Sequence, residues 1–339
     1  MAKDLILNVG VLFIMMLPGL IMKKCSLSKD GFGKSLSSLV LYIAQPALIV
    51  YAYISCESSF ADIWQNALWV LALSVVSHVI FTVAATLLFR GAEESKAKML
   101  KFATVFSNAA FMGIPLVKLI LGAEAAIYAS VYNITFNAFL WTLGVHFCTR
   151  KEGEDVDKDG DVDAVDVLKS AKQNIKSSGS VKRLLLHPVT TASVVGVILL
   201  ASGINLEVLA AARLGFISDS IRMLSELVAP LSMTVIGLRL ADLDLRGFFR
   251  DGYMYIFLAL RHLALPLAVI GVIKLLGAAG IELSEAVSQV TVIMASAPAA
   301  TSATMFAEMY DCDANYVSRL VIVSTILCIL TMPLCILLI

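Results

Sequence analysis

The chain has 339 residues, 59% of them hydrophobic and only 15% charged, with a mean hydropathy of +0.87 and a formal net charge of zero. Soluble domains average roughly 45–50% apolar and about 25% charged residues. An ordinary water-soluble fold therefore has nowhere to put this much apolar surface, and nothing in the charge balance favours a nucleic-acid partner.

A spanning helix needs about 20 mostly apolar residues. Residues 5–22, 36–54, 64–89, 102–121, 125–147, 184–201, 217–240, 253–276, 287–309 and 316–339 qualify, which predicts an all-α polytopic membrane protein with ten spans. The first run is longer than a signal-peptide core and is followed by Lys23 and Lys24 rather than small residues, so it reads as a retained helix. His187 and Pro188 interrupt the start of the sixth run. The six cysteines are scattered, without metal-like spacing or a disulfide framework, and read as packing thiols.

Basic residues fall in alternate loops. Lys23, Lys24, Lys29 and Lys34 follow the first span, Arg90, Lys96, Lys98 and Lys101 the third, eight lysines and arginines the fifth, and Arg239, Arg246 and Arg250 the seventh. Short basic loops stay cytoplasmic, so the expectation is a multi-pass protein of the plasma membrane with both termini outside.

The fifth loop divides the chain into a first five-span half (1–148), a linker (149–183) and a second half (184–339). Pro46 and Pro115 stand in the second and fourth spans, Pro230 and Pro298 in the seventh and ninth. The intervals are 69 and 68 residues. Matching breaks in two halves of odd span number imply two inverted five-helix repeats, a construction common in secondary transporters. Proline removes a helix hydrogen bond and clashes with the preceding turn, costing about 3 kcal/mol or more. In lipid such breaks are tolerated only where protein buries them or they line a cavity. The fourth and ninth spans are therefore expected to break at Pro115 and Pro298, beside Ser107, Asn108 and Gly113 in one and Ser296, Thr301, Ser302 and Thr304 in the other. Each break starts a half-helix near the midplane, whose free N–H groups and positive dipole end favour an anion. A plain proline kink is the alternative.

The segments "SNAAFMGIPLV", "VYNITFNAFLWTLG", "VAPLSMTVIGLRL" and "SAPAATSATMFAEMYDCDANYVSRLVIVSTILCILTMPL" resemble the matching parts of the auxin efflux carrier family, including bacterial members described as malate or malonate permeases. The resemblance runs through all ten spans and stops at the linker. It implies a scaffold and a transport domain, crossing fourth and ninth helices, and organic-anion transport with the crossover as substrate site. Asn108, Pro115 and Pro298 match the family's crossover pattern.

Ionisable and polar groups inside spans are functional candidates by default. Arg261, in the eighth span with His262, could pair with a substrate carboxylate or with Glu226, or snorkel to the cytoplasmic interface. Asn133 and Asn137 share a helix face and could line a cavity or join helices. His78 fits a structural histidine better than a proton relay. Gln45, before Pro46, could bond a carbonyl that proline frees. The expected substrate-binding set is Asn108, Gly113, Pro115, Pro298, Thr301, Asn133, Asn137 and Arg261.

The linker contains "DVDKDGDVDAVD". Asp155, Asp157, Asp159, Asp161, Asp163 and Asp166 take positions 1, 3, 5, 7, 9 and 12, with Gly160 at 6, as in an EF-hand calcium loop. The segment also resembles the calcium loop of dockerin modules. Lack of a paired loop and the aspartate at 12 favour the other reading, an acidic solvated linker. No other cofactor is required.

No nucleophile elbow, zinc motif or Walker A loop is present, which argues against an enzyme and against a self-contained ATP-driven pump. The leading expectation is a secondary transporter of small carboxylates. A passive anion facilitator and a membrane sensor with a calcium-responsive loop are the alternatives. The expected partners are the bilayer, the carboxylate, a coupling proton or sodium ion and a second copy of the chain.

Overall fold

The computed structural model describes residues 7, 10–29, 31–58, 60–149, 186–241 and 250–339. The described chain is helical throughout: α1 (Leu17–Lys24), α2 (Phe32–Ile54), α3 (Phe60–Leu88), α4 (Glu94–Val105), α5 (Ala109–Leu121), α6 (residues 123–149), α7 (Pro188–Ala201), α8 (Leu206–Ala211), α9 (Gly215–Ala241), α10 (Gly252–Ala278), α11 (Glu285–Ser296), α12 (Ser302–Met309) and α13 (Ala314–Ile336). Five of these, α2, α3, α9, α10 and α13, are long and apolar enough to cross a membrane. The other expected spans take different forms. The fourth and ninth are each divided into two shorter helices, and the first lies partly outside the described residues. The fifth is a helix interrupted by a π-helical turn at Leu140–Gly144, and the sixth starts only at Pro188, whose fixed φ and missing N–H suit a first helical turn. Residues 149–183, with the calcium-loop aspartates, lie almost wholly outside the described residues.

Polarity is arranged inside-out. Leu275 and Leu330 point outward, while Gln45, His78, Asn133, Asn137, Arg261 and His262 are buried. That is the distribution expected where lipid is the outer solvent. Caps hold the helix ends. The Asp251 carboxylate accepts from the Tyr253 N–H at the start of α10, Ser284 Oγ from Val287 N–H at α11, and the Asp313 carboxylate from Tyr316 N–H at α13.

The helices form two groups. In one, α1 packs on α9 and α7 on α2. A Cβ on Gly19 would lie 2.0 Å from the Thr234 carbonyl oxygen, and one on Gly237 1.9 Å from that of Met16, so backbone touches backbone between α1 and α9. Gly196 of α7 likewise lies under the Tyr53 ring of α2. In the other group, the divided helices α4–α5 and α11–α12 are surrounded by α3, α6, α10 and α13.

Three of the four π-helical turns among the described residues stand just before a proline: Val40–Ala44 before Pro46, Ala109–Gly113 before Pro115, and Leu260–Ala264 before Pro266. Proline has no N–H to donate and crowds the carbonyl four residues back. Widening that turn relieves the clash and lets the helix continue, so a proline inside a span need not end it.

Candidate functional site

The breaks in the two divided helices meet. After α4, Phe106 turns to an extended backbone (φ −96°, ψ 114°), and after α11 Ala297 does the same (φ −57°, ψ 150°). Residues 106–108 and 298–300 then run antiparallel through one short bridge centred on Ser107 and Ala299. Asn108 N–H donates to the Pro298 carbonyl at 2.6 Å, and Ala300 N–H to the Phe106 carbonyl at 2.8 Å. Each break thus supplies the partners the other lacks, which backbone inside an apolar interior requires.

This places the first break away from where the sequence put it. Residues 106–108 form the gap, and Pro115 lies beyond it, within α5, behind the π-helical turn. Pro298 stands in the crossing strand opposite Asn108, not opposite Pro115. The near-equal proline intervals therefore do not mark equivalent points of the crossover. The carbonyl that a proline at 115 leaves without its π-register donor is that of Ala110, and Gln45 Nε2 of α2 donates to it. The expectation that Gln45 serves a proline-freed carbonyl holds, but for Pro115 in a neighbouring helix rather than for Pro46.

Four helix ends converge here. α4 and α11 arrive with their C-terminal carbonyls, and α5 and α12 leave with their N-terminal amides. The first amides of α5 to turn back are those of Met112 and Gly113, both to the Asn108 carbonyl, so Ala109, Ala110 and Phe111 have no intrahelical acceptor. Around these ends, Asn108 Nδ2, Ser107 Oγ, Thr104 Oγ1 and Ser302 Oγ are buried without a hydrogen-bond partner among the described residues. Thr301 Oγ1 donates to Asn108 Oδ1 across a long 3.5 Å. Unmet buried polar atoms are uncommon and ask for an occupant such as water, an ion or a ligand.

Arg261 sits at the opposite pole of the crossing. It is completely buried, with Nη1 donating to the Thr104 carbonyl at 3.2 Å and Nη2 to the Ala297 carbonyl, so one guanidinium holds the last turns of both α4 and α11. Its plane lies over the Phe81 ring at 5.4 Å. Neither snorkelling nor a pair with Glu226 occurs; Glu226 takes Arg222 Nη1 at 3.0 Å instead. The next residue, His262, has Nε2 2.8 Å from Ser324 Oγ and Nδ1 3.0 Å from Thr331 Oγ1. Ser324 Oγ in turn accepts from the Ala299 N–H of the crossing strand.

Of the expected set, Asn108, Pro298 and Thr301 come together at the crossing, and Arg261 bonds its backbone. Gly113 has a packing role, since a Cβ there would lie 2.7 Å from Met294 Sδ of α11. Asn137 Nδ2 donates to the Asn133 carbonyl at 2.9 Å, whereas both polar atoms of the Asn133 side chain are buried and without a partner among the described residues. Sequence reasoning missed Ser324 and Arg239. Arg239, counted there as a loop residue, lies within α9 and donates to the Thr301 carbonyl at 2.9 Å. Its position one residue inside the end of the apolar run 217–240 was the available signal. Among the described residues no group of acidic, histidine or cysteine side chains is arranged to hold a metal.

The model of a family described as membrane transport protein matches residues 5–336. A protein of Methanothermobacter thermautotrophicus, described as an uncharacterized transporter, is 25% identical over 339 residues, covering 98% of this chain and 97% of its own.

Proposed function

The chain belongs to the membrane transport protein family, the auxin efflux carrier family that its motifs resemble, and from this premise we propose that it is a secondary transporter of small organic anions. Their carboxylate binds where the two divided helices cross. The observation that carries the reading is the set of unmet donors at the crossing. Asn108 Nδ2 and Ser302 Oγ are buried without partners among the described residues, beside the leading amides of α5 and α12. Amide donors at two positive helix ends suit a carboxylate, which accepts several hydrogen bonds and carries the charge those ends favour.

The architecture proposed with it is ten spans in two inverted five-helix repeats. The reciprocal packing of α1 on α9 and α7 on α2 supports this, because it pairs the first span of each half with the second span of the other. The group containing α1, α2, α7 and α9 is the scaffold, and the group holding the crossing is the moving part. Among the described residues, three hydrogen bonds join the groups at the crossing helices: Gln45 to the Ala110 carbonyl, Lys118 Nζ to Ser225 Oγ at 3.2 Å, and Arg239 to the Thr301 carbonyl. Relative movement of the groups must break them. Both termini are placed outside a plasma membrane, with residues 149–183 in the cytoplasm.

Proteoliposomes holding the purified chain test the function. Uptake of a radiolabelled dicarboxylate such as malonate should exceed that of empty vesicles and rise when a proton or sodium gradient is imposed. Uptake that ignores both gradients indicates a facilitator on the same scaffold. No carboxylate flux in either condition removes the anion reading.

A further inference from the structure

We propose that Arg261 decides the sign of charge that the crossover accepts, and so is a specificity-determining residue rather than a substrate ligand. The inference rests on the anion-transport reading and deepens it. The crossing gathers four half-helix ends, each equivalent to about half an elementary charge: negative at the C-termini of α4 and α11, positive at the N-termini of α5 and α12. These sum to about zero. Crossed broken helices alone therefore present a site with no net preference, where carbonyls could coordinate a small cation as readily as amides bind an anion.

Arg261 removes that ambiguity. Its two terminal nitrogens donate to the Thr104 and Ala297 carbonyls, one from each negative end. The guanidinium thus stands where a cation would be coordinated and offsets both negative poles. Among the described residues it makes no ion pair, so its full unit charge remains to be counted. The crossing becomes net positive, and the uncompensated ends are the amides of α5 and α12 beside the unmet Asn108 Nδ2 and Ser302 Oγ. The planar fork of arginine can bridge two carbonyls on different helices, which the single ammonium of lysine cannot do as well.

The charge and the fork are separable by experiment. Equilibrium binding to the purified full-length protein in nanodiscs is measured for malonate, succinate and acetate and for the matching uncharged amides. The wild type should prefer at least one carboxylate over its amide by tenfold or more. Arg261→Lys should keep most of that preference, because charge is retained, while melting at a lower temperature because one carbonyl loses its donor. Arg261→Gln should bring the ratio towards one. A monodisperse Arg261→Gln protein with the wild-type ratio would overturn the proposal. If that variant does not fold, Cys328→Asp replaces it. The Cys328 thiol lies at the Ser296 carbonyl, next to Arg261's acceptor Ala297, so a carboxylate there offsets the charge while Arg261 stays. It should lower the ratio, and an unchanged ratio is equally fatal. A wild-type protein with no carboxylate preference sinks the anion reading itself, whereas a preference that survives both variants sinks only the role of Arg261.

Discussion

The Asn108 N–H donates to the Pro298 carbonyl at 2.6 Å, so a backbone group released by one divided helix is satisfied by the other. Sequence neighbours cannot supply this bond, because 190 positions separate the two residues (298 − 108). The side chain of Asn108 has a different status: among the described residues its Oδ1 receives only the long Thr301 contact and its Nδ2 nothing. Removing it should therefore disturb the fold little and the cargo much. Asn108→Ala is expected to weaken carboxylate affinity about tenfold or more, the loss of one charge-assisted bond of roughly 1.5–3 kcal/mol. The melting temperature should stay near that of the wild type. Isothermal titration and a thermal melt on the same sample check both; unchanged affinity would remove Asn108 from the site.

Pro298 and Pro115 should behave unlike one another. Alanine at 298 adds an N–H and allows α11 to wind onward, pulling the Pro298 carbonyl out of the crossing, so uptake per folded protein should fall at least about tenfold. Alanine at 115 lies within α5, away from the bridge, and should leave uptake within about twofold, since restored helix bonding there moves no crossing strand. Transport at matched membrane expression distinguishes them, and equal losses would contradict the placement of the break.

Gln45 and Pro115 should be energetically coupled. Gln45→Leu leaves the half-buried Ala110 carbonyl without its donor, at about 1 kcal/mol. Pro115→Ala returns an N–H in the same helix that can serve that carbonyl. The Gln45→Leu penalty should therefore shrink in the Pro115→Ala background, by about 0.5 kcal/mol or more in a double-mutant cycle of thermal or denaturant stability. Strict additivity would show that the two do not share the carbonyl.

The α1–α9 contact predicts a sharp contrast between two glycines. Gly237→Ala puts a methyl 1.9 Å from the Met16 carbonyl oxygen, with backbone on both sides, and should prevent a monodisperse protein. Gly271 of α10 has nothing within 4 Å of an added Cβ, and alanine there should stabilise the helix by up to about 1 kcal/mol. Fluorescence-detected size exclusion with a thermal ramp reads both.

Topology can be read from a natural residue. Of the six cysteines only Cys25 is exposed, and it follows α1 directly after Lys23 and Lys24. Basic flanks place that loop in the cytoplasm. A membrane-impermeant maleimide should fail to modify Cys25 in intact cells, and a permeant one should succeed. Labelling from outside would invert the proposed orientation.

Composition alone determined that the protein lives in a membrane, because so high an apolar fraction cannot be hidden in a soluble core of this length. Apolar run lengths and the alternation of basic loops outlined the spans, and the polar residues inside them pointed at Asn108, Thr301 and Arg261 before any contact was known. Helix periodicity and hydropathy are local properties, and these inferences needed nothing else. What the tertiary structure decided is where each break falls and whom each polar group serves. Proline announces a lost hydrogen bond but not its remedy. At Pro115 the helix widened into a π-helical turn and borrowed Gln45 from α2, whereas at Pro298 the strand opened and paired with residues 106–108. Arg261 turned from an expected substrate or Glu226 partner into the donor to two carbonyls, because only folding brings Thr104 and Ala297 to one guanidinium. In an interior without water, every backbone group must find its partner across the fold, and that pairing is written in three dimensions rather than along the chain.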